Sequence, residues 1–304
     1  MVDEKMFGSH ARGVAVVISL RLRSFARIRR MRESKAKSTL AIATTFSMIV
    51  LGASLLQPYL PSIPPDQQDL TSVLQAPSWS HPFGTDNLGR DLLSRTVAAA
   101  RLDLGVALSV TLISMALGVL LGAVAGLFGN PMEAVIMRVV DAVLAFPFLI
   151  FIITVIAIVG TGLKGVLIGV PLNGWALYAR VTRGEMLRVR EQEYILAART
   201  LGYSRLRIIM RHALPNAWRP AIVLSMADVV MNILLLASLS YLGLGVQPPA
   251  AEWGSIIADG QQYLLQAWWF STLPGLVLVA VGAAFCIMGD AVADLLGEDP
   301  RVVA

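Results

Sequence analysis

Apolar residues along this chain gather in runs of roughly twenty, the length a helix needs to cross a bilayer's hydrocarbon core. Read in order, the runs predict six crossings. The first covers Thr39–Leu56. The second covers about Leu102–Phe128, with Gly129-Asn130-Pro131 as the turn behind it, and the third about Ala134–Val159, closed by Gly160-Thr161-Gly162. The fourth, about Val166–Tyr178, is short and interrupted by Pro171 and Asn173. The fifth and sixth cover about Ala221–Leu242 and Thr272–Met288. A polar stretch with Pro58, Pro61, Pro64 and Pro65 separates the first two crossings and ends near Ala100. The pattern predicts an all-α membrane protein. It divides into a basic segment 1–38, a first crossing with its polar segment 39–100, a transmembrane core 101–290 enclosing a loop 180–219, and a tail 291–304.

Composition agrees. Of the 304 residues, 56% are hydrophobic and 15% charged, against about a quarter charged in soluble domains. One cysteine, Cys286, excludes an internal disulfide and a cysteine-clustered metal site. His10, His81 and His212 lie far apart, so no metal centre is expected from them. A net charge of +5 in a soluble protein would point to nucleic acid; here no nucleic-acid partner is expected, because the charge is distributed as a topology signal.

Residues 1–40 carry ten basic side chains against Asp3, Glu4 and Glu33. So long a basic region before Thr39–Leu56 reads as the flank of an uncleaved span rather than a signal peptide. From Arg180 to Arg219 there are nine arginines against three glutamates, whereas Tyr241–Trp269 has no lysine or arginine. Lysine and arginine stay on the cytoplasmic side. With the N-terminus inside, the arginine-rich loop falls inside only if the weak fourth run crosses. Six crossings with both ends cytoplasmic satisfies every loop.

That loop holds two helical patterns. Glu191–Gly202 opens with acids, which suit the positive end of a helix dipole, and stops at a glycine suited to a left-handed cap. A second helix, about Ser204–His212, has Ser204 as N-cap and an apolar stripe of Leu206, Ile209 and Met210; Pro215 ends it. Such a hairpin either lies on the membrane surface or fills a groove on a partner.

The stretch Ala197-Ala198-x-x-x-Gly202, nine residues, then His212-x-Leu214-Pro215-Asn216 resembles the cytoplasmic docking loop of ABC-importer permeases. His81-Pro82-Phe83-Gly84-Thr85-Asp86-Asn87-Leu88-Gly89-Arg90-Asp91 and Leu239–Pro249 with Glu252-Trp253-Gly254 resemble the C-type subunits of dipeptide, oligopeptide and nickel permeases. The resemblance runs from about the first crossing to the C-terminus. It implies a type I importer permease fold with a coupling-helix loop in the bacterial inner membrane. The implied partners are a homologous B-type permease subunit, two ATPase subunits carrying ATP and Mg, and an extracytoplasmic substrate-binding protein. No cofactor is expected on this chain, and ATP hydrolysis falls to the ATPases.

The residues implied in docking are Glu193, Leu196, Ala197, Ala198, Arg199, Gly202, Leu206, His212, Leu214 and Pro215, with Arg205 and Arg211 around them. Leu196 stands where the family usually has glutamate, and Glu193 lies one helical turn earlier. Asp86, Arg90, Asp91, Glu252 and Trp253 are candidates for meeting the binding protein or gating from outside. The capping alternative makes Asp86 an N-cap. Trp253, Trp268 and Trp269 read as membrane-interface anchors. Asp228, with Asn232 one turn away, is an ionisable residue inside the fifth crossing and a candidate for the translocation path or a subunit interface. Asp141 is expected to pair with Arg138.

Other classes fit less well. An ion-coupled secondary transporter usually shows repeated halves, and no convincing repeat is found. G-x-S-x-G, H-E-x-x-H and G-x-x-x-x-G-K-[ST] patterns are absent, so no hydrolase or ATPase is expected. Within the importer family, nickel chelates, glutathione and opine-like solutes are alternatives to peptides.

Overall fold

The computed structural model describes residues 37–59, 63–128 and 131–296. Most of segment 1–38 and residues 297–304 of the tail lie outside the described residues, as do Pro61 and the turn residues Gly129 and Asn130. The helices are α1 (Lys37–Leu56), α2 (Leu92–Phe128), α3 (Met132–Leu144), α4 (Phe148–Val159), α5 (Leu163–Val189), α6 (Glu193–Thr200), α7 (Arg205–Ile208), α8 (Leu214–Ala217), α9 (Arg219–Tyr241), α10 (Trp253–Gln261) and α11 (Trp269–Leu296).

Four helices (α1, α2, α9 and α11) are long and apolar enough to cross a membrane. The third predicted crossing is broken: α3 and α4 meet at 90°. Pro147 causes this, since a residue preceding proline is pushed out of the helical region and Pro147 itself is extended (ψ 124°). The fourth prediction is corrected the other way. Pro171 and Asn173 do not interrupt α5, which runs unbroken for 27 residues, or about 40 Å. Both residues are buried, and packing against neighbouring helices sustains the turn that lacks the proline N–H.

Contacts show that α5 joins the two ends of the bundle. Near its start, the Gly162 N–H donates to the Leu244 carbonyl beyond α9. At its end, Met186 and Val189 pack with Ile195, Ala198, Ile208 and Ile209 of the loop. Alongside it runs α2, from a cap shared with α10 and α11 (Leu92, Trp253, Phe270) to the same loop (Ala123, Leu127).

The two helices touch backbone to backbone. Gly118, Gly122 and Gly126 fall at four-residue spacing on one face of α2. A methyl group at these positions would collide with Trp175, Tyr178 and Ala179, with Ala179 and Thr182, and with Arg183 and Met186 respectively. Small residues at this spacing let membrane helices approach closely where no hydrophobic effect drives them together.

Polar groups of segment 63–91 fold into the cap. Asp86 accepts from the backbone N–H groups of Leu88 and Arg90 at 2.8 and 2.9 Å, and pairs with Arg90 (2.5 Å) and Arg95 (3.7 Å). The N-cap of α2 is Asp91, not Asp86: its carboxylate accepts from Ser94 N–H at 2.8 Å and contacts His81 at 2.9 Å. Glu252 caps α10 by accepting from the Gly254 and Ser255 N–H groups at 2.8 and 2.7 Å. Trp253 is buried, donating its indole N–H to the Thr96 carbonyl and its backbone N–H to Asp103. It is therefore a core residue and not an interface anchor; Trp269 is buried too, and Trp268 alone of the three is exposed.

Two predictions follow from this packing. Gly122→Ile forces a branched side chain into the α2–α5 contact and is expected to cost about 1–3 kcal/mol, read as a lower melting temperature in detergent. Gly105→Ile on the same helix, where a methyl group meets nothing within 4 Å, leaves it unchanged. Burial also pushes the Glu252 carboxyl above its ordinary 4.5, against the two N–H groups that favour its ionised form. A carboxyl whose folded value is raised contributes fully below its unfolded value and loses that contribution as pH climbs through the raised one. Glu252→Gln therefore makes the decline of melting temperature with pH above 4.5 shallower than in the unmodified chain.

Candidate functional site

The loop after α5 folds as a compact hairpin. Ser204 is the N-cap of α7, as its sequence position predicts, accepting from Arg207 N–H at 3.4 Å. The end of α6 closes with two crossed bonds: Tyr203 N–H donates to the Ala198 carbonyl and Gly202 N–H to the Arg199 carbonyl. This is the Schellman arrangement, and it requires the left-handed φ of +76° at Gly202.

Pro215 does not end the second helix. The path continues from α7 through a π-helical turn, Ile209–Ala213, into α8 and α9. Proline cannot donate to the residue four back and its ring crowds that carbonyl; a widened turn just before it accommodates both. Asn216 then donates to the Tyr194 hydroxyl at 3.1 Å, tying the far end of the hairpin back to α6.

The expected stripe of Leu206, Ile209 and Met210 is split between two faces. Ile208 and Ile209 point inward with Ile195, Ala198, Ala213 and Ala217, onto Ala123 of α2 and Met186 and Val189 of α5. Leu206 and Met210 point outward, together with Leu196 and Leu201. Leu201 is 71% exposed and Leu206 65%, values far from those of a packed core. Glu193, Ala197, Arg199, Arg205, Arg211 and Pro215 are exposed as well, whereas Ala198 is buried and His212 and Leu214 are half-buried. His212 packs tilted beside Tyr203 (5.7 Å between ring centres), and the Arg207 guanidinium lies 5.3 Å above the Tyr203 ring. The hairpin thus has one apolar face bonded to the ends of α2 and α5 and a second apolar face, studded with arginines, open.

The outer candidates are placed differently. Asp86, Arg90, Asp91, Glu252 and Trp253 are all buried, Asp86, Glu252 and Trp253 completely. Their partners lie within the cap, and this leaves them no surface with which to meet another protein. The cap instead exposes apolar side chains that sequence reasoning missed, Trp79 and Leu265 among them.

Asp228 and Asn232 are brought together. Asp228 accepts from the Tyr178 hydroxyl of α5 at 2.9 Å, and Asn232, one turn along α9, donates to the Thr111 hydroxyl of α2 at 2.8 Å. Tyr178 is the partner the sequence did not reveal, fifty residues away along the chain. Asp141 pairs with Arg180 of α5 at 2.7 Å rather than with Arg138, and Glu133 binds Arg183. The α5 extension to Val189 brings those arginines opposite α3. Among the described residues no three histidine, cysteine or acidic side chains converge as a metal site.

The profile of the family described as "binding-protein-dependent transport system inner membrane component" matches residues 118–302. A probable D,D-dipeptide transport system permease of Escherichia coli K12 is 36% identical over 84% of this chain and 85% of its own. A di/tripeptide transport system permease of Pseudomonas aeruginosa is 37% identical over 84% of this chain and 86% of its own. The nickel transport system permease of E. coli K12 is 37% identical over 87% of this chain and 93% of its own. In structure the chain is similar to the inward-facing MetNI methionine ABC transporter, with a TM-score of 0.55, 16% identity, and 70% of this chain and 98% of the other covered. That likeness establishes the fold, the helical one of that transporter's matched chain. With more than half its length inside the family profile, the chain belongs to the binding-protein-dependent transport system inner membrane component family.

Proposed function

We propose that this chain is the C-type permease subunit of an ATP-driven importer for di- and oligopeptides and forms half of the translocation pathway. The observation that carries the coupling role is the two-faced hairpin. Its inner face is packed into the ends of α2 and α5, and its outer face presents Leu201, Leu206 and Met210 among Arg199, Arg205 and Arg211. An ATPase groove with acidic margins complements that face. Closure of an ATPase dimer would then move α2 and α5 as one body, because the hairpin's inner side chains leave no slack.

The partners in this reading are a homologous B-type subunit, two ATPases that bind ATP and Mg and carry out hydrolysis, and an extracytoplasmic binding protein. This chain performs no catalysis. The arginine-rich hairpin and both termini face the cytoplasm, supported by the basic counts on either side of the crossings. The binding protein approaches the opposite cap, where the exposed apolar side chains rather than the buried Asp86–Arg90 group form the surface.

The peptide assignment is supported by the names of two relatives; the nickel permease, equally similar, supports a metal chelate as the second reading. The assembled transporter in proteoliposomes separates them. Its ATPase is expected to rise with dialanine plus the binding protein, and a response to a nickel chelate alone overturns the peptide reading.

Leu206→Asp is expected to weaken ATPase co-purification about tenfold or more, the loss typical of a central interface side chain. Leu265→Asp, fully exposed on the opposite cap, leaves recruitment unchanged. Undiminished recruitment by Leu206→Asp would sink the docking claim. A point substitution is the cleaner test, because deleting 197–214 also removes Ala198, Ile208, Ile209 and Ala213 from the core shared with α2 and α5.

A further inference from the structure

Between α5, α9 and the α3–α4 elbow lies a cleft of about 300 Å³, lined by Phe146, Phe148, Asn173, Leu177, Tyr178 and Asp228 among others. Its polar groups are few and of one kind of use. Asp228 brings a carboxylate held by the Tyr178 hydroxyl, and no cationic side chain lines the cleft. Asn173, only 5% exposed, has an amide nitrogen with no hydrogen-bond partner. Phe146 and Phe148 sit exposed at the break that Pro147 makes.

A carboxylate within a crossing helix is costly unless it faces a cavity or a counter-charge. A carboxylate in a cleft with no cationic side chain describes a cationic ligand. Aromatic faces beside the carboxylate add attraction for the same cation.

We propose that this cleft is a subsite on the solute's route that takes the α-ammonium end of a peptide. The ammonium lies against Asp228. The route rests on the importer reading given above, and the identity of the cation rests on its peptide half.

The test uses the assembled complex with Leu177→Cys in a Cys286→Ser background, so that one thiol reports from the cleft wall. Labelling rates are measured for a cationic ethyltrimethylammonium methanethiosulfonate and an anionic ethylsulfonate one, each divided by its rate with a free small thiol. The cationic reagent is expected to react about tenfold faster, as local charge concentrates cations in a narrow site. Asp228→Asn is expected to bring the two rates together. Dialanine slows the cationic reagent and N-acetyl-dialanine does not.

Absence of labelling by either reagent overturns the proposal, because lipid or a partner helix then fills the cleft. Equal rates in the presence of Asp228 overturn it as well. A cation preference without protection by dialanine supports the cation site and overturns the peptide amine as its ligand. That result is independent of whether the ATPase responds to peptide, so the two failures are told apart.

Discussion

The close approach of α2 and α5 is the contact on which the rest of this molecule depends. Three glycines at one-turn spacing remove the side chains that would hold the two backbones apart. In lipid, where burying apolar surface between helices gains little over burying it in acyl chains, such shape matching does the work that a hydrophobic core does in water. Because α2 and α5 are pressed together along much of their length, their ends arrive at the hairpin side by side. Ala123, Met186 and Val189 then offer one continuous seat to Ile195, Ala198, Ile208 and Ile209. The same contact carries Asn173 and Tyr178 on the neighbouring face of α5 toward α9, where Tyr178 meets Asp228.

Charge is handled differently at the two ends. In the cap, acids and bases are satisfied internally: Asp86 by Arg90, Arg95 and two backbone N–H groups, Glu252 by the start of α10. Such buried groups specify one arrangement of the segment rather than offering themselves to a partner, since removing either member of a pair leaves the other uncompensated. At the hairpin the arginines stand at the surface around exposed leucines. The Gly202 cap and the Tyr194–Asn216 bond tie the hairpin that carries them.

Much of this was legible along the chain. The apolar runs located α1, α2, α9 and α11, the four helices long and apolar enough to cross a membrane. The spacing around Gly202 and the N-cap at Ser204 depend on local backbone chemistry, so sequence carried them without tertiary help. Errors fell where local propensity competes with packing. Pro171 looked like a breaker but is absorbed in α5, while Pro147 breaks the third run by 90°. The two prolines are chemically alike, and only the neighbours of each helix distinguish them.

The sequence by itself determined the long apolar helices α1, α2, α9 and α11 and the capped hairpin segment after α5, because hydropathy and capping act within a few turns of chain. Only the tertiary structure decided which face of that segment is free. Leu206 and Ile209 are equally apolar, and the seat formed by α2 and α5 alone sends one outward and the other inward. It likewise decided that Asp86, Arg90, Asp91, Glu252 and Trp253 are interior, and that Asp228 bonds to Tyr178 in the wall of a cleft. These are pairings between residues far apart in sequence, and no local pattern encodes the partner of a charge.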